Sequence, residues 1–103
     1  MSAAVIKLSE PIQAHGEEVS ELTLREPTTE DVIKFGQPFL VIPRDGGDTG
    51  VEIRMNIIAR YVSELAAIPM SSVKKLSRND FSACQAAVMG FFGGGDGEET
   101  PKN

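Results

Sequence analysis

The chain has no tryptophan and only one cysteine, one histidine and one tyrosine among its 103 residues. With Cys84 alone, no internal disulfide can form, which agrees with a reducing compartment. With His15 alone, the most versatile general base and metal ligand is available at a single position. No apolar run approaches the roughly 20 residues that span a bilayer. Met1-Ser2-Ala3-Ala4 lacks the basic-then-apolar pattern of a secretory signal, so a cytoplasmic protein is expected. Basic residues are also scarce: 10 Lys and Arg stand against 15 Asp and Glu, a formal net charge of −5. Nucleic-acid binders neutralise phosphates with clustered Lys and Arg. The densest basic stretch here, Lys74-Lys75 with Arg78, is followed by Asp80 and reads as a solvated helix face. Nucleic acid and anionic membrane are therefore not expected partners, and another protein is.

What remains is an ordinary globular composition, 41% apolar, in a length that suits one domain. That domain is expected over residues 1–92, with a flexible, acidic, Gly-rich tail over 93–103. No internal repeat is present. In the N-terminal part, Ile6 and Leu8 fall on one side of a pleat and Lys7 on the other. Leu22 and Leu24 likewise oppose Glu21, Thr23 and Arg25. His15-Gly16 between these runs supplies a turn, so Val5 to Arg25 reads as a β-hairpin. Pro11 makes the middle of the first strand an edge or a bend. Thr28 is a good N-cap with Asp31 three residues on, close to a capping box, and Gly36 and Pro38 stop the short helix that follows.

Phe39-Leu40-Val41-Ile42 is an apolar run that periodicity leaves open between a third strand and a buried connector. Arg44 to Gly50 has the composition of a flexible loop. Val51, Met55, Ile58, Val62 and Leu65 then repeat at spacings of four and three, predicting a helix from Val51 to about Ala67 that ends before Pro69. Ser71 to Leu76 has room for a single turn. Ser77-Arg78-Asn79-Asp80 resembles a second capping box, opening a helix whose apolar stripe is Phe81, Cys84, Val88 and Phe91. The expected fold is α+β: an N-terminal antiparallel β-hairpin, with the third strand open, packed against two longer helices and one short one.

No catalytic, cofactor or metal site emerges from the chemistry-bearing residues, so an enzyme is not expected. His15 lies at the turn with no second His or Cys near it in sequence, which fits an exposed turn residue. Cys84 lacks an adjacent base and sits on an apolar stripe. Asp45, Asp48 and Glu52 are the one tight carboxylate set, but Gly47 and Thr49 occupy positions where a calcium loop needs ligands. Gly46-Gly47 precedes a helix pattern without the Lys-Ser or Lys-Thr of a phosphate loop, and Gly93-Gly94-Gly95 follows its helix. The apolar stripes admit two readings, internal packing or an exposed edge that receives an amphipathic helix. Met55, Ile58, Val62, Met89, Phe91 and Phe92 are the candidate partner-binding residues.

The segment Ile6-Lys7-Leu8-Ser9-Glu10-Pro11-Ile12, then Gly16, then Val19-Ser20-Glu21-Leu22-Thr23-Leu24-Arg25-Glu26-Pro27-Thr28 resembles the opening of the small tail assembly chaperones of contractile-tailed phages. That group contains the E protein of phage P2 and gp41 of phage Mu. Ile57 to Ala67, Pro69, Ser77 to Asp80 and Phe91-Phe92-Gly93 fit the later part of the pattern, so the resemblance covers roughly Val5 to Gly93. Phe39 to Gly50 has no counterpart in it. The resemblance implies a protein of the host cytoplasm, absent from the finished virion, that binds the tape measure protein, keeps it soluble and helps tail tube protein assemble. It also implies a longer frameshifted form made from the same gene. A minor structural component of the tail, or another small protein-binding module, is the alternative left open.

Overall fold

The computed structural model describes residues 3–93. The expected tail over 93–103 lies, apart from Gly93, outside the described residues. Strands β1 (Ala4–Ala14) and β2 (Glu17–Leu24) form the expected antiparallel hairpin. His15 and Gly16 both take positive φ, 54° and 76°, the conformation whose twist suits a two-residue hairpin turn. Ile6 pairs with Leu22 and Ala4 with Leu24, but beyond Lys7 the register shifts and Ile12 pairs with Val19. Leu8, Ser9, Glu10 and Pro11 thus stand opposite Ser20 alone, and the bend expected at Pro11 is a bulge. Pro11 needs no N–H partner there. Those of Ser9 and Glu10 do, and the Asp80 carboxylate accepts both, at 2.9 and 3.2 Å.

After Pro27, helix α1 (Thr29–Phe35) starts on a complete capping box. Thr28 Oγ accepts from Asp31 N–H at 3.2 Å, and the Asp31 carboxylate accepts from Thr28 N–H at 2.8 Å. Gly36, at φ 82°, turns the chain out of the helix, where an L side chain would be strained.

In the next segment Phe39 to Ile42, which periodicity leaves open between strand and connector, is a strand of a second sheet. The flexible loop expected at Arg44 to Gly50 and the helix start expected at Val51 are not found. Strand β3 (Phe39–Pro43) pairs with β4 (Thr49–Ile53) in a second two-stranded sheet, and Asp45–Gly47 forms a 3-10 turn between them. Arg44 to Gly50 is therefore a structured hairpin connection and strand start. Val51 lies in β4, and helix α2 (Met55–Ala66) begins four residues later than its spacing suggested. Val51 and Met55 share helical spacing by coincidence. Pairing with β3 across two glycines decides the conformation, and that contact is non-local.

The core forms where the inner face of the first hairpin meets α2 and α4 (Arg78–Phe91). Leu24, Ile58, Tyr61, Val62, Cys84 and Val88 are fully buried there. Each buried Leu, Ile or Val contributes about 1.5–3 kcal/mol relative to exposure. Ala67, in the left-handed region at φ 58°, ends α2. The short helix α3 (Met70–Val73) follows Pro69, and Ser72 Oγ donates to the Gln13 carbonyl at 2.6 Å. The hairpin turn is fixed to the end of α2 by His15 Nε2–H, which donates to the Ala67 carbonyl at 3.0 Å.

Candidate partner-binding surface

Polar side chains inside the fold are fully employed in holding it together. Asp31 is buried and accepts from Arg25 at 2.8 Å. Arg25 also reaches Glu64 at 3.3 Å, so the residue just after β2 ties α1 and α2 into one ionic junction. The Arg25 guanidinium first, then the Thr28 N–H, hold the Asp31 carboxyl at about 2, against the opposing effect of burial. Asp80 is the second buried carboxylate. The N–H of Ser9 chiefly, then that of Glu10, lower its pKa from the ordinary value. The capping box expected at Ser77 is only half made: Ser77 Oγ accepts from Asp80 N–H, while the carboxylate serves the β1 bulge. Among the described residues no buried side-chain nitrogen or oxygen lacks a hydrogen bond, and no set of three His, Cys, Asp or Glu gathers at metal-binding range. Asp45, Asp48 and Glu52 are distributed along the second hairpin. Burial pushes the Cys84 thiol up to about 11, so at neutral pH it is not a nucleophile.

The candidate partner-binding residues divide by position. Ile58 and Val62 are completely buried and belong to the core. Met89, Phe91 and Phe92 are half-buried against it. Phe92 meets Tyr61 edge-to-face at a centroid distance of 5.4 Å, and Tyr61 meets Phe35 at 5.2 Å. Tyr61 Oη–H donates to the Gly36 carbonyl at 2.6 Å, so this aromatic row joins the C-terminal ends of α1 and α4 through α2. Met55 is half exposed, at the foot of the second hairpin.

That hairpin carries the most exposed apolar surface of the described residues, and most of it escaped the sequence reading. Val41 and Val51 are about 60% exposed, and Leu40 and Ile42 over 40%. The register puts Phe39, Val41, Val51 and Ile53 on one face, and Leu40 and Ile42 with Glu52 on the other. Only the base is anchored. Pro38 is fully buried, its carbonyl accepts from Arg54 N–H at 2.8 Å, and Ile53 packs against the core. An isolated two-stranded hairpin is marginal in water, and one that is aliphatic on both faces is more so. A surface of this kind fits an apolar segment of another chain. The missed signal was two short aliphatic runs flanking Gly46-Gly47, with Val51, Glu52 and Ile53 alternating.

Comparison with known proteins bears on what such a surface meets. The family model described as "Phage tail assembly chaperone proteins, E, or 41 or 14" matches residues 5–93, most of the chain. The chain belongs to that family. The matched span includes the bulged hairpin, the Leu-Arg-Glu-Pro-Thr segment with its capping box, and the β3–β4 hairpin, for which the sequence reading found no counterpart. No curated protein and no solved structure matches the chain. As a tail assembly chaperone the protein has a general role in phage tail assembly, which involves interaction with phage tail proteins. Its buried polar groups are structural, and its accessible apolar groups lie mainly on β3, β4 and Met55.

Proposed function

We propose that this chain binds the tape measure protein in the host cytoplasm, keeps that long polypeptide soluble, and promotes assembly of tail tube protein around it. The observation that supports this reading most is the β3–β4 hairpin, with Leu40, Val41, Ile42 and Val51 exposed on its two faces. Aliphatic faces on an acidic, otherwise polar domain suit transient cover of amphipathic helices, whose apolar stripes would otherwise associate. The net charge of −5 adds solubility to such a complex. The protein acts by binding alone, without catalysis, and leaves before the virion is complete. A longer frameshifted product is part of the same proposal, as a second form sharing this domain.

Co-expression with the tape measure protein encoded nearby tests the proposal. The expected result is a soluble tape measure protein that co-purifies with a tagged copy of this chain, and mass spectra of purified virions without its peptides. A tape measure protein left insoluble by both this chain and any frameshifted form would contradict the binding role. Abundant copies in the virion would instead favour the minor structural component.

A further inference from the structure

The outer edge of β4 is an unused pairing surface with a self-complementary charge pattern. Arg44 N–H donates to the Asp48 carbonyl, and Arg54 N–H to the Pro38 carbonyl. Antiparallel ladders alternate bonded and non-bonded pairs. With those two fixed, the bonded pairs in between are Leu40–Glu52 and Ile42–Gly50. The N–H and C=O groups of Thr49, Val51 and Ile53 therefore point away from β3, to an edge that no other described strand covers. The opposite edge, on β3, is poorer, because Pro43 has no N–H to give.

We propose that two copies of this chain pair through their β4 edges, antiparallel and centred on Val51, forming a four-stranded sheet across a two-fold axis. Only this register overlaps Thr49–Ile53 completely with its copy and bonds all three outward residues: Thr49 to Ile53 of the second copy, Val51 to Val51, and Ile53 to Thr49. It also matches charge. Asp48 falls opposite Arg54 of the second copy. Glu52 falls opposite Gly50 of the second copy, and Gly50 is buried beneath the Arg44 guanidinium, which fills the place a side chain would take. Each Glu52 thus meets the other copy's Arg44, and the two-fold axis repeats both pairs. Among the described residues none of these four charged side chains has an ion-pair partner within the chain. On the other face Val41, Val51 and their copies form one continuous aliphatic row, so pairing enlarges the apolar face while leaving it open. The dimer is measured on the chain alone, so its failure and the failure of tape measure binding are separately visible.

Sedimentation equilibrium of the full chain over a concentration series tests this. A reversible monomer–dimer equilibrium built on the 11.1 kDa chain is expected. Val51→Pro removes an outward N–H without touching a bond to β3, and should abolish the dimer. Glu52→Arg and Arg44→Glu each place like charges at both crossings and should each weaken it roughly tenfold. Mixing those two variants restores opposite charges at both crossings and should yield a heterodimer of near-native affinity, which also shows that both remain folded. A chain that is monomeric at every concentration overturns the proposal. So does a dimer indifferent to Val51→Pro, or a mixture that associates no better than either variant alone.

Discussion

Asp31 and Asp80 are buried carboxylates held as anions by different donors. Asp31 has Arg25 and the Thr28 N–H; Asp80 has the Ser9 and Glu10 N–H groups of a bulged strand. Both pKa values lie below the ordinary carboxylate value when folded, so both groups stabilise the fold at neutral pH and lose that effect as pH falls through the folded value. For Asp31, a drop from 3.8 to about 2 corresponds to about 2 kcal/mol, present above the unfolded value and lost progressively below it. Stability of the native chain to urea should therefore weaken as pH falls from about 5 to about 2, with most of the Asp31 contribution lost over that range. Asp31→Asn should be less stable at neutral pH and lose less on acidification. An unchanged acid response in Asp31→Asn would show that the Arg25 junction does not govern it. Cys84 has a separate signature: an aromatic disulfide reagent should leave it unmodified at neutral pH in the folded chain and label it fully in urea.

At the scale of elements, stability depends on side chains that tie neighbours together. Tyr61 packs between Phe35 and Phe92 and bonds the Gly36 carbonyl, so Tyr61→Phe removes one hydrogen bond and little packing. It should lower the unfolding free energy by about 1–2 kcal/mol in chemical denaturation. Leu24→Ala, in the fully buried inner face of β2, should cost about 2–5 kcal/mol in the same measurement. Elements with local signals were legible in the sequence. The His15-Gly16 turn, the Thr28–Asp31 capping box and the Gly36 stop all depend on neighbours within a few positions. Asp80 was legible as a helix-start residue, but its real partners, Ser9 and Glu10, are about 70 positions away and become donors only once the β1 register has shifted. Val51 was misassigned because one residue at helical spacing from Met55 looks the same whether it lies in a helix or in a strand opposite Val41. Of the candidate partner-binding residues on α2, Met55 is half exposed while Ile58 and Val62 are buried; a stripe's spacing does not say which of its ends the core covers.

The whole molecule divides into a body, where the first hairpin, α2 and α4 surround one core, and an arm, where β3 and β4 carry aliphatic side chains into solvent. That division lets substitutions on the arm alter association while the body keeps its stability, and it gives the central claim a clean test. Val41→Glu places a charge in the middle of the Val41–Val51 face without reaching the core. Its melting temperature should stay close to native, because Val41 is 60% exposed. The direct measurement is quantitative co-purification of the tape measure protein with the native chain and with Val41→Glu, co-expressed at equal levels. The account predicts soluble, stoichiometric recovery with the native chain and loss of most of it with the variant. Equal recovery with a folded Val41→Glu chain would contradict it, and would place the client-binding surface elsewhere on the body.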